Sequence, residues 1–332
     1  MTTPAQSPSA GWTILNTEPG RFSAGARAAM EAIGRVTAVE ARREYLLTQA
    51  ARFDVFFVGL GNIIDREILN RATDLKCIVT PTTGTDHIDA QCLRERGIDL
   101  LSLKGETEFL ESITATAELT WGLLLSAVRQ IVAAHNDVMG GAWSRDRFGG
   151  IELQSKTLGI VGYGRLGRMV ASYAKAFRME VVAYDLLPDS DAGVAFVPIE
   201  ELLSRSHVVS VHLPLDDRTA GFLSRSRIAS MRDGSVLVNT SRGAIVDEEA
   251  LLGALQSGKL AAAALDVMAD ETSGEEWVAD NPLVRYAKTH QNLVITPHIG
   301  GMTAESADRT NLFMIAKLKR YLQEREMKRS GA

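Results

Sequence analysis

Leu158-Gly159-Ile160-Val161-Gly162-Tyr163-Gly164-Arg165-Leu166-Gly167 is the stretch on which the fold of this chain turns. An apolar run enters a Gly-x-Gly-x-x-Gly pattern, and a helical stretch, Arg168–Phe177, leaves it. A lone glycine pattern carries little weight. Set between a strand and a helix, each glycine has a task. Gly162 permits a tight turn, Gly164 lets a pyrophosphate approach the backbone, and Gly167 lets helix pack on strand. The helix supplies unpaired N–H groups and a positive end for the phosphates.

The next apolar run, Glu180–Tyr184, ends at Asp185, 18 residues beyond Gly167. An acid at that spacing accepts hydrogen bonds from an adenosine ribose. No Arg or Lys follows within Leu186–Asp191 to balance a 2′-phosphate, so NAD is expected rather than NADP.

Strand-like and helical stretches alternate on both sides of this motif, as in a parallel sheet flanked by helices. Before it, Trp12–Asn16, Val55–Leu60 and Cys77–Thr80 read as strands, Ala24–Ile33 as a helix, and Leu119–Val138 as one long helix. After it, Val208–Leu213, Val236–Asn239, Ala261–Val267 and Leu293–Thr296 read as strands. Asp247–Gln256 and Ala304–Glu324 read as helices. Two series imply an α/β chain of two Rossmann-like, doubly wound parallel-sheet domains. The break falls along the long helix and the glycine-rich loop Gly140–Gly150. Because the motif begins near residue 159, the cofactor domain is expected to be inserted in a discontinuous substrate domain that the chain re-enters at its end.

The 332 residues suit two domains, and 45% hydrophobic with 23% charged residues suits a sizeable core. A net charge of -5 gives no sign of a nucleic-acid surface. Cys77 and Cys92 form neither a CxxC pair nor a metal-like cluster, and two buried free thiols in a reducing compartment are expected. No metal site is expected. Residues 1–10 lack the basic and apolar regions of a secretory signal. The longest apolar run, near Leu119–Ala134, is broken by Thr120, Ser126, Arg129 and Gln130 and falls short of a membrane span. A cytoplasmic protein is expected.

Three segments lie where strands of the second series end, which is where ligands bind in such sheets. They are Asn239-Thr240-Ser241-Arg242-Gly243, Leu265-Asp266-Val267 leading to Glu271, and Thr296-Pro297-His298-Ile299-Gly300-Gly301. Reduction of a 2-keto acid needs a cation for its carboxylate and a proton donor. Arg offers a planar fork. His carries protons near neutral pH, and a carboxylate beside it favours the imidazolium. Arg242, Glu271 and His298 are therefore the candidate catalytic set.

At these residues the chain resembles the D-isomer-specific 2-hydroxyacid dehydrogenase family, from about Val55 to the final helix. The similarity is carried by Gly84-Thr85-Asp86-His87-Ile88-Asp89, Ala117-Glu118-Leu119 and Lys156-Thr157-Leu158-Gly159. It continues in His212-Leu213-Pro214-Leu215, Asn239–Gly243, Ala264–Val267 and Thr296-Pro297-His298. The resemblance implies that Arg242 binds the substrate carboxylate and carbonyl, and that His298 is the acid/base with Glu271 beside it. Arg165 and Leu166 join the glycines in the pyrophosphate loop, and Asp185 is the ribose acid. Thr240, Ser241, Asp266 and Gly300 are further cofactor contacts near the nicotinamide end. It also implies that Thr83 and Gly84 receive the substrate carboxylate. The implied domains are 1–115 with 303–332 for substrate and 116–302 for NAD, and two subunits are expected to pair through their cofactor domains.

The chain departs from the family in places. Lys104–Ser112 is longer than the usual segment and acidic, and is either a specificity element or a lengthened exposed loop. Phe57-Val58-Gly59-Leu60-Gly61 offers no cation where phosphoglycerate dehydrogenases place an Arg-Ser pair, which disfavours a phosphorylated substrate. Met268-Ala269-Asp270-Glu271-Thr272 keeps the glutamate and lacks the usual proline. His87 reads as structural. The expected activity is interconversion of a small 2-keto acid and its D-2-hydroxy acid. Alternatives are a reductase specialised for glyoxylate or hydroxypyruvate, oxidation of an inorganic oxyanion such as phosphite by the same triad, and a cofactor-gated interaction protein of the corepressor type. Formate dehydrogenase is disfavoured because its relatives carry glutamine where Glu271 stands.

Overall fold

The alternation resolves into two parallel sheets in a computed structural model that describes residues 11–188, 193–269, 271 and 276–330. The chain divides into two units, Met1–Ser112 with Thr303–Ala332, and Ile113–Met302. The Gly140–Gly150 loop lies inside the second unit, so the break is not there but at Ser112/Ile113.

The first unit holds β1 (Thr13–Asn16), β2 (Arg35–Ala38), β3 (Val55–Phe57), β4 (Cys77–Val79) and β5 (Asp99–Leu101), in the order β2-β1-β3-β4-β5. Every pairing is parallel. The order reverses direction between β1 and β3, and that reversal opens a crevice at the strand ends. The helix Ala304–Ser330 packs back on this unit. Trp12 Nε1 donates to Glu326 at 2.7 Å, Asn311 Nδ2 to the Arg21 carbonyl at 3.0 Å, and Tyr321 to Asp99 at 2.6 Å. The Lys104–Ser112 segment is not a free loop. It forms a short helix, Thr107–Glu111, that buries Leu110, stacks Phe109 on Phe313 and pairs Glu106 with Lys317. Cys77 and Cys92 are free and buried.

The second unit holds β6 (Thr157–Val161), β7 (Glu180–Tyr184), β8 (Ala195–Phe196), β9 (Val208–Val211), β10 (Ser235–Asn239), β11 (Leu260–Leu265) and β12 (Leu293–Ile295). Their order is β12-β11-β10-β9-β6-β7-β8, again with parallel pairing throughout. Helices cover both faces, so the central strands read as continuous apolar runs. The two-residue period sorts them. Val161, Val209, Leu237 and Leu265 join one core cluster. Leu158, Ile160, Val208 and Val238 join the other. Burying each such side chain is worth about 1.5–3 kcal/mol.

The long helix expected over Leu119–Val138 is two helices, Ala115–Val128 and Ile131–Met139. Ile151 N–H takes the Val128 carbonyl at 2.8 Å, and Gln130 turns left-handed with φ 52°. Neither glycine nor proline marks the break. Among the described residues no helix is long and apolar enough to cross a membrane, and none of their His, Cys, Asp and Glu side chains form a metal-like group.

The first turn of the helix Arg165–Ala176 sits on β6 with no room to spare. A Cβ at Gly167 would strike the Gly162 carbonyl oxygen and approach Ile160 Cγ2 to 3.1 Å. Gly167→Ala is therefore expected to cost about 1–3 kcal/mol. Its urea midpoint should fall with an unchanged slope, whereas the same change at Gly253, where a Cβ meets nothing within 4 Å, should not lower it.

Candidate active site

The cofactor pattern is built by backbone. Gly162 has φ +95° and donates its N–H to Tyr184 O at 2.9 Å. A Cβ there would meet His212 O at 2.7 Å. Gly164 caps the helix Arg165–Ala176, has no side-chain cap, and faces open space. No side chain caps this helix N-terminus, the position a pyrophosphate would take. Asp185, at the end of β7, accepts Tyr163 N–H at 2.7 Å and Leu187 N–H at 3.0 Å, which aims its carboxylate over the glycine turn. These residues fit a dinucleotide. Arg165 turns the other way, with Nη1 donating to Ile113 O at 2.6 Å, and Leu166 is half-buried.

Three loops follow β10, β11 and β12, which are neighbours in the sheet. After β10, buried Asn239 accepts Ser241 N–H and Oγ–H through Oδ1, at 3.0 and 2.8 Å. Its Nδ2 donates to Arg242 O at 2.9 Å. This collar fixes the backbone of Arg242, whose Nη1 donates to Ser241 O at 2.7 Å. Thr240 Oγ1 shares a 2.7 Å hydrogen bond with Thr120. Gly243 lies directly on the Met268–Ala269 backbone, where any Cβ would collide. That close approach brings the Arg242 loop against the one bearing Glu271.

Glu271 Oε2 accepts Met268 N–H at 3.1 Å, and its Oε1 lies 2.7 Å from His298 Nδ1. Both side chains are about three-quarters buried, at 21% and 24% exposed. His298 has a left-handed backbone, φ 52°. Buried Asp266 holds it there. The Asp266 carbonyl accepts His298 N–H at 2.8 Å. Its carboxylate accepts Thr296 Oγ1–H at 2.6 Å, Ile299 N–H at 2.9 Å and Gly300 N–H at 2.8 Å. Burial pushes the Asp266 carboxyl above its ordinary range, opposed by these hydrogen bonds and by His298.

Sequence reasoning assigned Asp266 and Gly300 to the cofactor, and their hydrogen bonds go to the His298 turn. Asn239, Thr120 and Thr296 were missed. The one signal for Asn239 was a buried amide ending an apolar strand. Asp270 and Thr272 lie outside the described residues.

In the first unit, Thr83 is exposed and Gly84 half-buried on the loop after β4. Thr82 Oγ1 donates to Gly84 O at 2.6 Å and is itself 2.9 Å from Thr80 Oγ1. His87 is buried, with Nε2 at 3.4 Å from Thr80.

The sequence pattern described as D-isomer specific 2-hydroxyacid dehydrogenase, NAD binding domain, matches residues 121–300. The chain belongs to the D-isomer specific 2-hydroxyacid dehydrogenase family. It is 36% identical to a hydroxypyruvate reductase of Thermotoga maritima over 284 residues, 85% of this chain and 89% of that protein. It is 36% identical to a glyoxylate reductase of Aeropyrum pernix, covering 84% and 83% of the two. A D-3-phosphoglycerate dehydrogenase of Methanocaldococcus jannaschii is 36% identical over 89% of this chain, which spans 55% of that relative's length. Among solved structures, D-lactate dehydrogenase from Aquifex aeolicus complexed with NAD and lactic acid superposes with a TM-score of 0.82 at 27% identity, covering 96% of this chain and 98% of that one.

Behind the glycine turn, His212 shuts its Nδ1 away from solvent and sets Nε2 2.8 Å from Ser210 Oγ. Burial pushes the imidazole down to about 4. An unfolded chain takes up this proton below about pH 6.5. The folded chain refuses it until about pH 4, so stability falls as pH drops across that window. The residue is partly exposed, so the loss should be on the order of 2 kcal/mol, short of the full shift. Urea midpoints measured from pH 7 to 4 should fall less steeply in His212→Asn; parallel slopes would exclude a buried neutral imidazole.

Proposed function

We propose that this chain is an NAD-dependent dehydrogenase interconverting a small 2-keto acid and its D-2-hydroxy acid, with Arg242, Glu271 and His298 as the catalytic set. The observation that carries the reading is the 2.7 Å contact from Glu271 Oε1 to His298 Nδ1, on a turn that Asp266 fixes at the end of β12. With Nδ1 committed to Glu271, Nε2 is the nitrogen left to exchange a proton with a substrate oxygen. The glycine turn and Asp185 would hold NADH, which would supply the hydride for C2 of the keto acid. His298 supplies the proton to the resulting alkoxide oxygen, and Arg242 holds the carboxylate and polarises the carbonyl. Thr83 and Gly84 are the residues of the first unit proposed to receive the substrate carboxylate. Domain roles follow, with 116–302 for NAD and 1–115 with 303–332 for substrate. The names of the relatives, which are reductases and dehydrogenases of short 2-keto and 2-hydroxy acids, support the same class.

The test is NADH oxidation against a panel of 2-keto acids, with NADPH in parallel. NADH is the expected donor. Arg242→Ala should lower kcat/KM on the order of a thousandfold. His298→Ala should lower kcat by about 10²–10⁴-fold, and Glu271→Gln by about tenfold. Full activity in either alanine variant would end the assignment.

We further infer that two copies pair through the second unit, in the cytoplasm. The helix Ile131–Met139 has no buried residue and exposes Ile131, Val132, Val138 and Met139, and Trp143 beyond it is 90% exposed. An apolar face of this kind is an interaction surface. Sedimentation velocity should show a dimer for the wild type and a monomer for a Met139→Glu, Trp143→Glu variant; an unchanged sedimentation coefficient would place the interface elsewhere.

A further inference from the structure

Beyond Asp266 the chain leaves the sheet. Asp266 N–H donates to Asn239 O at 2.9 Å, and β11 itself ends at Leu265. Further on, the N–H groups of Met268 and Ala269 are taken by carboxylates. Met268 N–H donates to Glu271 Oε2 at 3.1 Å, and Ala269 N–H donates to Glu248 Oε1 at 2.7 Å. The two bonds act differently. The first joins two residues of one loop and cannot fix that loop against anything else. The bond from Glu271 N–H to Met268 O, at 3.5 Å, is internal in the same way. The bond to Glu248 ties the loop to an element 21 positions earlier in the chain.

That element is firmly held. Glu248 opens the helix Glu248–Gln256. Asp247 caps it by accepting Ala250 N–H at 2.9 Å, and donates its own N–H to Leu223 O at 3.0 Å. Ala250, Leu251, Ala254 and Leu255 seat the helix in the core. The segment leading into it starts at Gly243, on which the Met268–Ala269 backbone lies too closely for any Cβ. The Glu271 loop is therefore laid on Gly243 and pinned by Glu248. Burial does not demand that pin. Ala269 is exposed, and water could satisfy its N–H. A carboxylate in the first turn of a helix is also stabilised by the helix's own positive end. What the bond adds is position, because it selects one arrangement of a loop that hydration alone would leave to sample several.

We propose that Glu248 is a positioning residue for proton transfer. By pinning Ala269 it holds the Glu271 carboxylate at 2.7 Å from His298 Nδ1. It acts through Glu271 and not on the substrate. This rests on the dehydrogenase reading above.

The experiment pairs steady-state reduction of 2-keto acids by NADH with amide hydrogen exchange of the peptide carrying Met268 and Ala269. Both are measured in the full chain for Glu248→Ala, Glu248→Gln, Glu271→Ala and Glu248→Ala/Glu271→Ala. Glu249→Ala is the control, since it removes the same charge from the next position, where the side chain pairs with Arg225 at 3.0 Å. NADH binding by fluorescence reports that each variant is folded. Glu248→Ala should speed exchange at Ala269 and lower kcat about three- to tenfold, with KM for NADH unchanged. Glu248→Gln keeps an acceptor for Ala269 N–H and should restore most of kcat. Glu249→Ala should match the wild type. With Glu271→Ala already present, Glu248→Ala should lower kcat no further, because no carboxylate is left to position. The proposal is overturned by unchanged exchange or unchanged kcat in Glu248→Ala, or by equal falls with and without Glu271. A Glu248→Gln variant as slow as Glu248→Ala also overturns it, since charge and not the hydrogen bond would then matter. If the wild type turns over no 2-keto acid while exchange at Ala269 still responds to Glu248→Ala, the dehydrogenase reading has failed, and the positioning role falls with it.

Discussion

Asp266 is the point from which the His298 turn of the second unit is held. His298 occupies a left-handed conformation without being glycine, which costs about 1–2 kcal/mol. Hydrogen bonds to a charged group contribute about 1.5–3 kcal/mol each. The Asp266 carboxylate accepts two from the turn's backbone, Ile299 and Gly300, and a third from Thr296. The balance favours the strained turn. Because the same residue's carbonyl also accepts the His298 N–H, the turn is gripped from two directions. A proton carrier on this turn would need such a grip, since one misplaced by a fraction of an ångström loses much of its advantage.

That grip extends across the sheet through contacts that depend on small residues. Gly243 lets the Arg242 loop rest on the Met268–Ala269 backbone, and Met268 N–H holds the carboxylate of Glu271. Three loops from three adjacent strands therefore share one arrangement. Of the candidate residues, Glu271 and His298 each hold the other across two loops, whereas Arg242 is fixed by Asn239 and Ser241 of its own loop. Parallel pairing makes this possible, because it delivers every strand's carboxyl end to the same edge of the sheet.

Much of this was legible from sequence because it rests on local rules. The glycine turn needs a positive φ at Gly162 and an open cap at Gly164, and only glycine offers both. The apolar runs of β6, β9 and β10 are buried on both faces, so they announce themselves. The break at Gln130 was not legible, because its cause is a distant N–H, that of Ile151, taking the Val128 carbonyl. The docking of Phe109 on Phe313 was hidden for the same reason, as it joins segments 204 positions apart. In the site, residue types pointed to Arg242, Glu271 and His298. The supporting roles of Asn239 and Asp266 are set by which backbone groups surround them, and composition carries no trace of that.

The second unit's glycine turn favours negative charge at one point and disfavours it at another. At the second unit's reversal between β6 and β9, the helix N-terminus beyond Gly164 has no side-chain cap, and its positive end favours negative charge. Asp185 stands a few residues away with both oxygens already accepting N–H groups, from Tyr163 and Leu187. Its remaining lone pairs suit hydroxyl donors, and a phosphate brought to it would set two anions together. Discrimination at this end thus works by repulsion as much as by attraction. A carboxylate fixed by backbone N–H groups thus sets which oxygen-bearing group suits this end of the sheet.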